Sequence, residues 1–299
     1  MILSLTNIRM EKLQSMSQKY SLLAVLAHPD DETFGMGGTL AKYAHEGVDA
    51  FLICATRGEV GEMEEQYLQG FNSPAERREY ELRCAAKNLG LQDVIFLDYR
   101  DSGMVGSEHN HNPRSLFAAD LDKVSEEIVQ SIRKIKPDVV ITFDPIGGYR
   151  HPDHIKIYEA TVDAVSKAAN SEYEDELKQH PHQIKKLYFH SIPKNFLRMT
   201  VALMRLIGKD PRKFGKNKDI DLVSISEVHF PTHAIIDYGK YTNLRNDASA
   251  CHSSQGGSKT TGGLMGWLQR ILGSKDRFMR AFPEPKDGEK IERSLFEGL

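Results

Sequence analysis

At 299 residues the chain is long enough to bury a substantial core, in one large α/β domain or two modest ones, without help from disulfides. A formal net charge of -3, from 39 basic and 42 acidic residues, removes any global electrostatic argument for nucleic acid or a membrane surface as partner. Cys54, Cys84 and Cys251 lie far apart with no C-x-x-C pair, which indicates neither a disulfide framework nor a thiolate zinc site and fits a reducing compartment.

The N-terminal "MILSLTNIRMEKLQSMSQKY" lacks the roughly 7–15-residue apolar core of a signal peptide, and no later segment approaches about 18 apolar residues. A soluble cytoplasmic protein without membrane insertion is expected. From Leu22 short apolar runs alternate with longer amphipathic stretches, the pattern of βα units and a mostly parallel sheet. Strands are predicted at Leu22 to Ala27, Asp49 to Ala55, Val94 to Asp98, Asp138 to Asp144 and Lys185 to Ile192. Helices are predicted at Gly38 to Glu46, Pro74 to Leu89, Leu116 to Lys136 and about Ile155 to Ala169, the second capped by Ser73 and stopped by Gly90. Beyond Pro193 the pattern loosens. The basic "RLIGKDPRKFGKNKD" reads as a surface loop or insertion, "YGKYTNLRNDASACHSSQ" includes a helix, "GGSKTTGG" is a linker and "LMGWLQRIL" a short amphipathic helix. The expected fold class is α/β: a Rossmann-like, mostly parallel sheet with helices on both faces and a less regular C-terminal portion. We read residues 1–299 as one domain, with a core at 21–192 and a substrate-side portion at 193–299.

In open α/β sheets ligands bind beyond the carboxyl ends of the strands. The polar clusters follow that rule: "HPDDE" after the first strand, "TRGEVGE" after the second, "DYRDSGM" after the third and "DPIGGYRHPDH" after the fourth. His28, Asp31 and His154 make a two-histidine, one-carboxylate set that suits zinc and also occurs at non-haem iron sites, with a position left open for water. "GMGG" lacks the G-x-G-x-x-G spacing of a dinucleotide loop, and close helix packing accounts better for its glycines.

"AHPDDETFGMGGTL", the arginine and glutamate of "ERREYELRCAAKNLGL", "LDYRDSGM" and "DPIGGYRHPDH" resemble the LmbE-like, or PIG-L, N-deacetylases, over roughly Leu22 to Ala169 and again at "RNDASACHSSQ". That family includes deacetylases of GlcNAc-phosphatidylinositol and of the amino-sugar intermediates of mycothiol and bacillithiol synthesis, and a mycothiol conjugate amidase. The resemblance implies zinc held by His28, Asp31 and His154, with another divalent metal such as Fe2+ left open. It implies Asp30 as general base, His151 and Tyr149 at the developing oxyanion, and substrate contacts from Arg57, Asp101 and His252. Glu32 and Asp153 are expected to orient histidines or cap helices, and His109 and His111 to belong to a polar substrate-side loop. Arg150 stands where close relatives have glycine, which predicts a more cationic rim or a less mobile Tyr149. The expected partner is a small amino-sugar substrate, not nucleic acid, and a homo-oligomer stays open. The expected reaction is removal of an acetyl group from an N-acetylglucosamine-type amide. Two rivals remain at this point: an amidase acting on a larger or non-sugar conjugate, and a non-catalytic sugar- or metal-binding module.

Overall fold

The computed structural model describes residues 19–215, 218–257 and 273–299. The predicted helix at "LMGWLQRIL" and most of the linker before it lie outside the described residues. β1 (Ser21–Leu26), β2 (Asp49–Thr56), β3 (Asp93–Tyr99), β4 (Val139–Phe143) and β5 (Lys186–His190) run parallel. β6 (Ala234–Asp237) and β7 (Lys275–Phe282) complete one sheet in the order β3-β2-β1-β4-β5-β7-β6, with β7 antiparallel to both its neighbours. β1 and β4 are buried along nearly their whole length, as continuous apolar runs covered on both faces must be.

Helices α1 (Asp31–His45) and α2 (Pro74–Leu89) follow β1 and β2, and α3 (Leu121–Ile135) and α4 (Pro152–Ala169) follow β3 and β4. α3 packs along α4 on one face of the sheet. On the other face α1 and α2 are joined by α7 (Thr242–Cys251), after α5 (Lys194–Leu206) and α6 (Leu222–Glu227). The chain reverses direction across the sheet between β1 and β4, so the loops after these two strands diverge to opposite faces and leave a crevice. Ser73 caps α2 by accepting from the Glu76 amide at 3.2 Å, and Gly90 ends it in the left-handed conformation.

Three expectations change. α1 begins at Asp31 rather than Gly38, because its first turn is set by the charged loop itself; the helix is broken at Met36 (φ -141°) and becomes regular beyond it. The C-terminal portion is more ordered than its composition implies. Leu197, Val201 and Met204 form a buried stripe on α5 that packs on Leu222 and Ile225, while β6 and β7 extend the central sheet. The cysteine reading is also overturned: Cys84 on α2 and Cys251 on α7 form a disulfide across 167 residues, and only Cys54 is free and buried. Adjacency of α2 and α7 brings them together. Among the described residues no helix is long and apolar enough to cross a membrane.

The glycines of "GMGG" serve packing: a Cβ on Gly38 would lie 2.2 Å from the Tyr238 ring. Beside them Asp276 of β7 accepts from the amide and hydroxyl of Thr39 at 3.0 and 2.7 Å, and burial pushes its pKa up to about 6. A carboxyl whose folded-state pKa lies above its unfolded value contributes stability below about pH 4 that is lost as pH rises through about 6. Asp276→Asn keeps an acceptor for Thr39 and removes the charge. It is expected to raise Tm at pH 8 and to leave it unchanged at pH 4, as measured by calorimetry at both values.

Candidate active site

The crevice between the ends of β1 and β4 gathers the histidines and carboxylates. His28 Nδ1 lies 3.1 Å from His154 Nε2 and 3.5 Å from Asp31 Oδ2, and His154 Nε2 lies 3.3 Å from Asp31 Oδ1. Four ligands at about 2.0–2.1 Å in a tetrahedron sit about 3.3–3.4 Å apart, so these donors have the spacing of one face of a zinc-type site. His28 and His154 are buried and Asp31 nearly so. The remaining nitrogen of His28, Nε2, meets Asp153 Oδ2 at 3.1 Å and Asp101 Oδ1 at 3.5 Å, which fixes the ring and leaves Nδ1 to face the other two donors. Asp153 is itself held by the amide of Ser102 at 3.0 Å and by its hydroxyl. Phe143 stacks on His154 with centroids 3.9 Å apart. The donor set and its spacing therefore fit a divalent metal. His151 is close enough to His28 and His154 that one atom from each falls within 4.8 Å of the others.

The neighbouring aspartates occupy opposite electrostatic environments. Burial disfavours charge on Asp31, yet His154 and His28 hold its carboxyl well below the usual range. Asp30, one residue earlier, is pushed up to about 6 by burial, against the opposing guanidinium of Arg78. An arginine of "ERREYELR" carries part of the family resemblance, but the sequence assigns Arg78 no role. It extends from α2 as a buried guanidinium that donates to Pro29 O at 2.8 Å, Gly58 O at 3.0 Å and Asp30 Oδ2 at 3.1 Å. Its signal was its place on the buried stripe of α2 with Glu81, Leu82, Ala85 and Leu89, where an arginine has to find partners.

His151 caps α4, its Nδ1 accepting from the Asp153 amide at 3.2 Å, so the neutral ring carries its proton on Nε2. Burial, with His28 and His154 nearby, lowers its pKa well below the ordinary histidine value. Tyr149 packs edge-on to His154 and His151 at 4.9 and 5.9 Å. Asp101 takes amide hydrogens from Gly103 at 2.8 Å and Val60 at 3.4 Å; despite burial, His28 holds its carboxyl well below the usual range. These side chains border a cavity of about 500 Å³, with Val60, Met104, Ser107 and Gln255 on its walls and Gly215, Asp219 and Ile220 contributed by the basic insertion.

Three expected substrate-side residues lie elsewhere. Arg57 is turned to Glu79 at 2.6 Å and to Asp98, with its guanidinium over Phe96, and does not border the cavity. His252 is fully buried behind α1 and binds Glu32 Oε1 at 2.7 Å. Arg150 is exposed with φ 68° and stands outside the cavity lining, so it adds no charge to the pocket wall. His109 and His111 sit in a single helical turn at Glu108–His111, away from the histidine cluster.

The model of the PIG-L family, described as GlcNAc-PI de-N-acetylase, matches residues 23–165. A Streptomyces avermitilis protein named 1D-myo-inositol 2-acetamido-2-deoxy-alpha-D-glucopyranoside deacetylase is 39% identical over 245 residues, covering 78% of this chain and 82% of that protein. The chain belongs to the PIG-L family. A PIG-L relative of the same name from Rhodococcus jostii is 33% identical over 292 residues, covering 93% of this chain and 98% of the other. Among solved structures the N,N'-diacetylchitobiose deacetylase of Pyrococcus horikoshii superposes with a TM-score of 0.61 at 20% identity, covering 88% of this chain and 84% of that one. The 4-carboxy-2-hydroxymuconate hydratase GalB of Pseudomonas putida does so at 0.59 and 17% identity, over 91% of this chain and all (100%) of its own. The PIG-L fold thus houses chemistries that only site residues can distinguish.

Arg78, on the cavity wall, and Arg57, off it, should behave differently on removal. Arg78→Ala strips three buried carbonyl and carboxylate partners of their donor and leaves Asp30 uncompensated, at an expected cost of about 3–5 kcal/mol. Arg57→Ala, at a half-exposed pair, is expected to cost about 0–1 kcal/mol. Urea denaturation of both variants without added metal measures the difference.

Proposed function

We propose that this protein hydrolyses the acetamido group of an N-acetylglucosamine-type sugar, with a divalent metal of the zinc kind held by His28, Asp31 and His154. The observation that carries the reading is the split between adjacent aspartates: Asp31 closes the donor triangle, while Asp30 stands beside it, borders the cavity and makes none of the triangle's contacts. A sugar- or metal-binding module has no use for a second carboxylate in that place. The bound metal supplies Lewis acidity toward a carbonyl oxygen and acidifies a water molecule.

The protein's own groups do the rest. Asp30, which borders the cavity beside the donor triangle, takes a proton from the attacking water and delivers it to the departing sugar nitrogen, whose lone pair must be protonated before the C–N bond breaks. Nε2–H of His151 donates to the carbonyl oxygen as it becomes negative, a contribution on the order of 3–4 kcal/mol for one well-placed donor. Tyr149 packs on the His151 and His154 rings at the same rim and borders the cavity, in reach of the same developing oxyanion. Asp101 bears on sugar hydroxyls, and the wall of Asp219, Ile220 and Gln255 faces the remainder of the substrate. The curated relatives carry an inositol-linked glucosamine in their names, and a polyol of that kind suits a cavity lined by Asp101, Ser107, Asp219 and Gln255. Enzyme supplied with zinc is expected to release acetate from acetylated amino sugars faster than it cleaves bulkier N-acyl amides. Asp30→Asn is expected to lower kcat by about 100- to 10,000-fold while metal content, read by atomic absorption, stays at the parent level. Undiminished turnover in Asp30→Asn, or preference for the bulky amides, contradicts the reading.

A further inference from the structure

Asp30 has a backbone conformation that L-residues rarely adopt, φ 127° and ψ -25°. Such a residue costs on the order of 1–3 kcal/mol and persists only where its surroundings over-determine it. Its carbonyl accepts from the amides of Thr33 and Phe34 at 3.1 and 2.9 Å, and its carboxylate is met by Arg78. Its own N–H is donated to Glu32 Oε2 at 3.0 Å. That last contact has an elaborate support. Glu32 and His252 are both wholly buried, and His252 Nε2 lies 2.7 Å from the other oxygen of Glu32, which also accepts from the Thr33 hydroxyl.

The histidine is fixed in turn. Its ring packs edge-on to Phe34 at 5.8 Å, and Cys251 before it is tied to Cys84 on α2. After it, Ser253 and Ser254 bind Glu81, also on α2, at 3.0 and 2.6 Å. Neither Glu32 nor His252 borders the cavity, so neither touches a substrate. A buried ionisable pair is poor evidence of stabilisation in itself, because hydrophobic replacements of equal volume commonly do as well. What this pair does specifically is hold one amide.

We propose that His252 is a positioning residue: through Glu32 it fixes the left-handed turn at Asp30 and so aims that carboxylate into the cavity. The inference rests on Asp30 as the base of the proposed reaction. Without His252, Glu32 loses the donor that orients it and the Asp30 N–H loses its acceptor. The turn then relaxes toward negative φ, which swings the Asp30 carboxylate away from its place beside Arg78. Asp31, anchored by His28 and His154, keeps its position.

The test compares His252→Ala, His252→Gln and Asp30→Asn with the parent, each incubated with the same excess of zinc and its bound zinc then measured. Readouts are kcat and KM for acetate release, and hydrogen exchange at the Asp30 amide by NMR. His252→Ala is expected to lower kcat about 100-fold, the scale of a misplacement of about 1 Å, with KM and zinc content unchanged and faster exchange at the Asp30 amide. His252→Gln, which keeps an N–H donor for Glu32, is expected to recover at least about tenfold of that loss. Parent-like kcat in His252→Ala, a loss confined to KM or zinc content, or no recovery in His252→Gln overturns the proposal. Should His252→Ala not fold, Glu32→Ala and His252→Gln carry the same readouts: faster Asp30 exchange in the first alone supports it, and parent-like exchange in both overturns it. Active Asp30→Asn instead overturns the base assignment, whereas inactive Asp30→Asn beside fully active His252→Ala overturns positioning alone.

Discussion

Everything in this site depends on the side-by-side alignment of the ends of β1 and β4. His28 leaves the first strand and His154 enters the helix after the fourth, 126 residues later, yet their ring nitrogens meet at 3.1 Å. Two imidazoles and a carboxylate do not converge in a buried crevice without cost, since each loses water. The sheet supplies the rigidity. β1 pairs with β2 on one side and β4 on the other, and its fully buried residues leave no slack for a register slip.

The same crevice separates two carboxylates that are neighbours in sequence. Asp31 faces histidines and stays ionised, while Asp30 is turned by an unusual φ into a desolvated place beside Arg78. Environments that push two like groups in opposite directions are what the proposed split between a metal ligand and a proton carrier requires. α2 serves Asp30 twice, through Arg78 directly and through the disulfide and Glu81 that seat His252. The insertion after Pro193 bears on the site as well: Ile146 and Tyr149 pack against its apolar cluster, and Ile220 reaches the cavity wall.

The parallel core was legible because its strands are apolar runs with charged loops at one end, and the alternation of run and amphipathic stretch carries the topology. The donor set was legible from "HPDDE" and "HPDH", whose residue types point to metal chemistry. Whatever depended on contact between distant helices was not. No spacing in the chain reveals that Cys84 and Cys251 face each other, or that His252 lies behind Glu32 rather than in the pocket. Arg57 sits in a loop after a strand, where functional residues concentrate; Arg78 hides in a helix as one of the three arginines of "ERREYELR". Its position on the apolar stripe was the available clue. The regular α5 escaped notice because its buried stripe, Leu197, Val201 and Met204, runs directly into the basic stretch that begins at Arg205.

The measurement that bears most directly on this account is anomalous diffraction at the zinc edge from crystals grown with zinc. A single strong peak within bonding distance of His28 Nδ1, Asp31 and His154 Nε2, with Asp30 outside the first coordination sphere, is the predicted result. A peak that takes Asp30 as a ligand, or one seated on His151 and Asp101 with Asp31 unengaged, would contradict the division of roles on which the account stands.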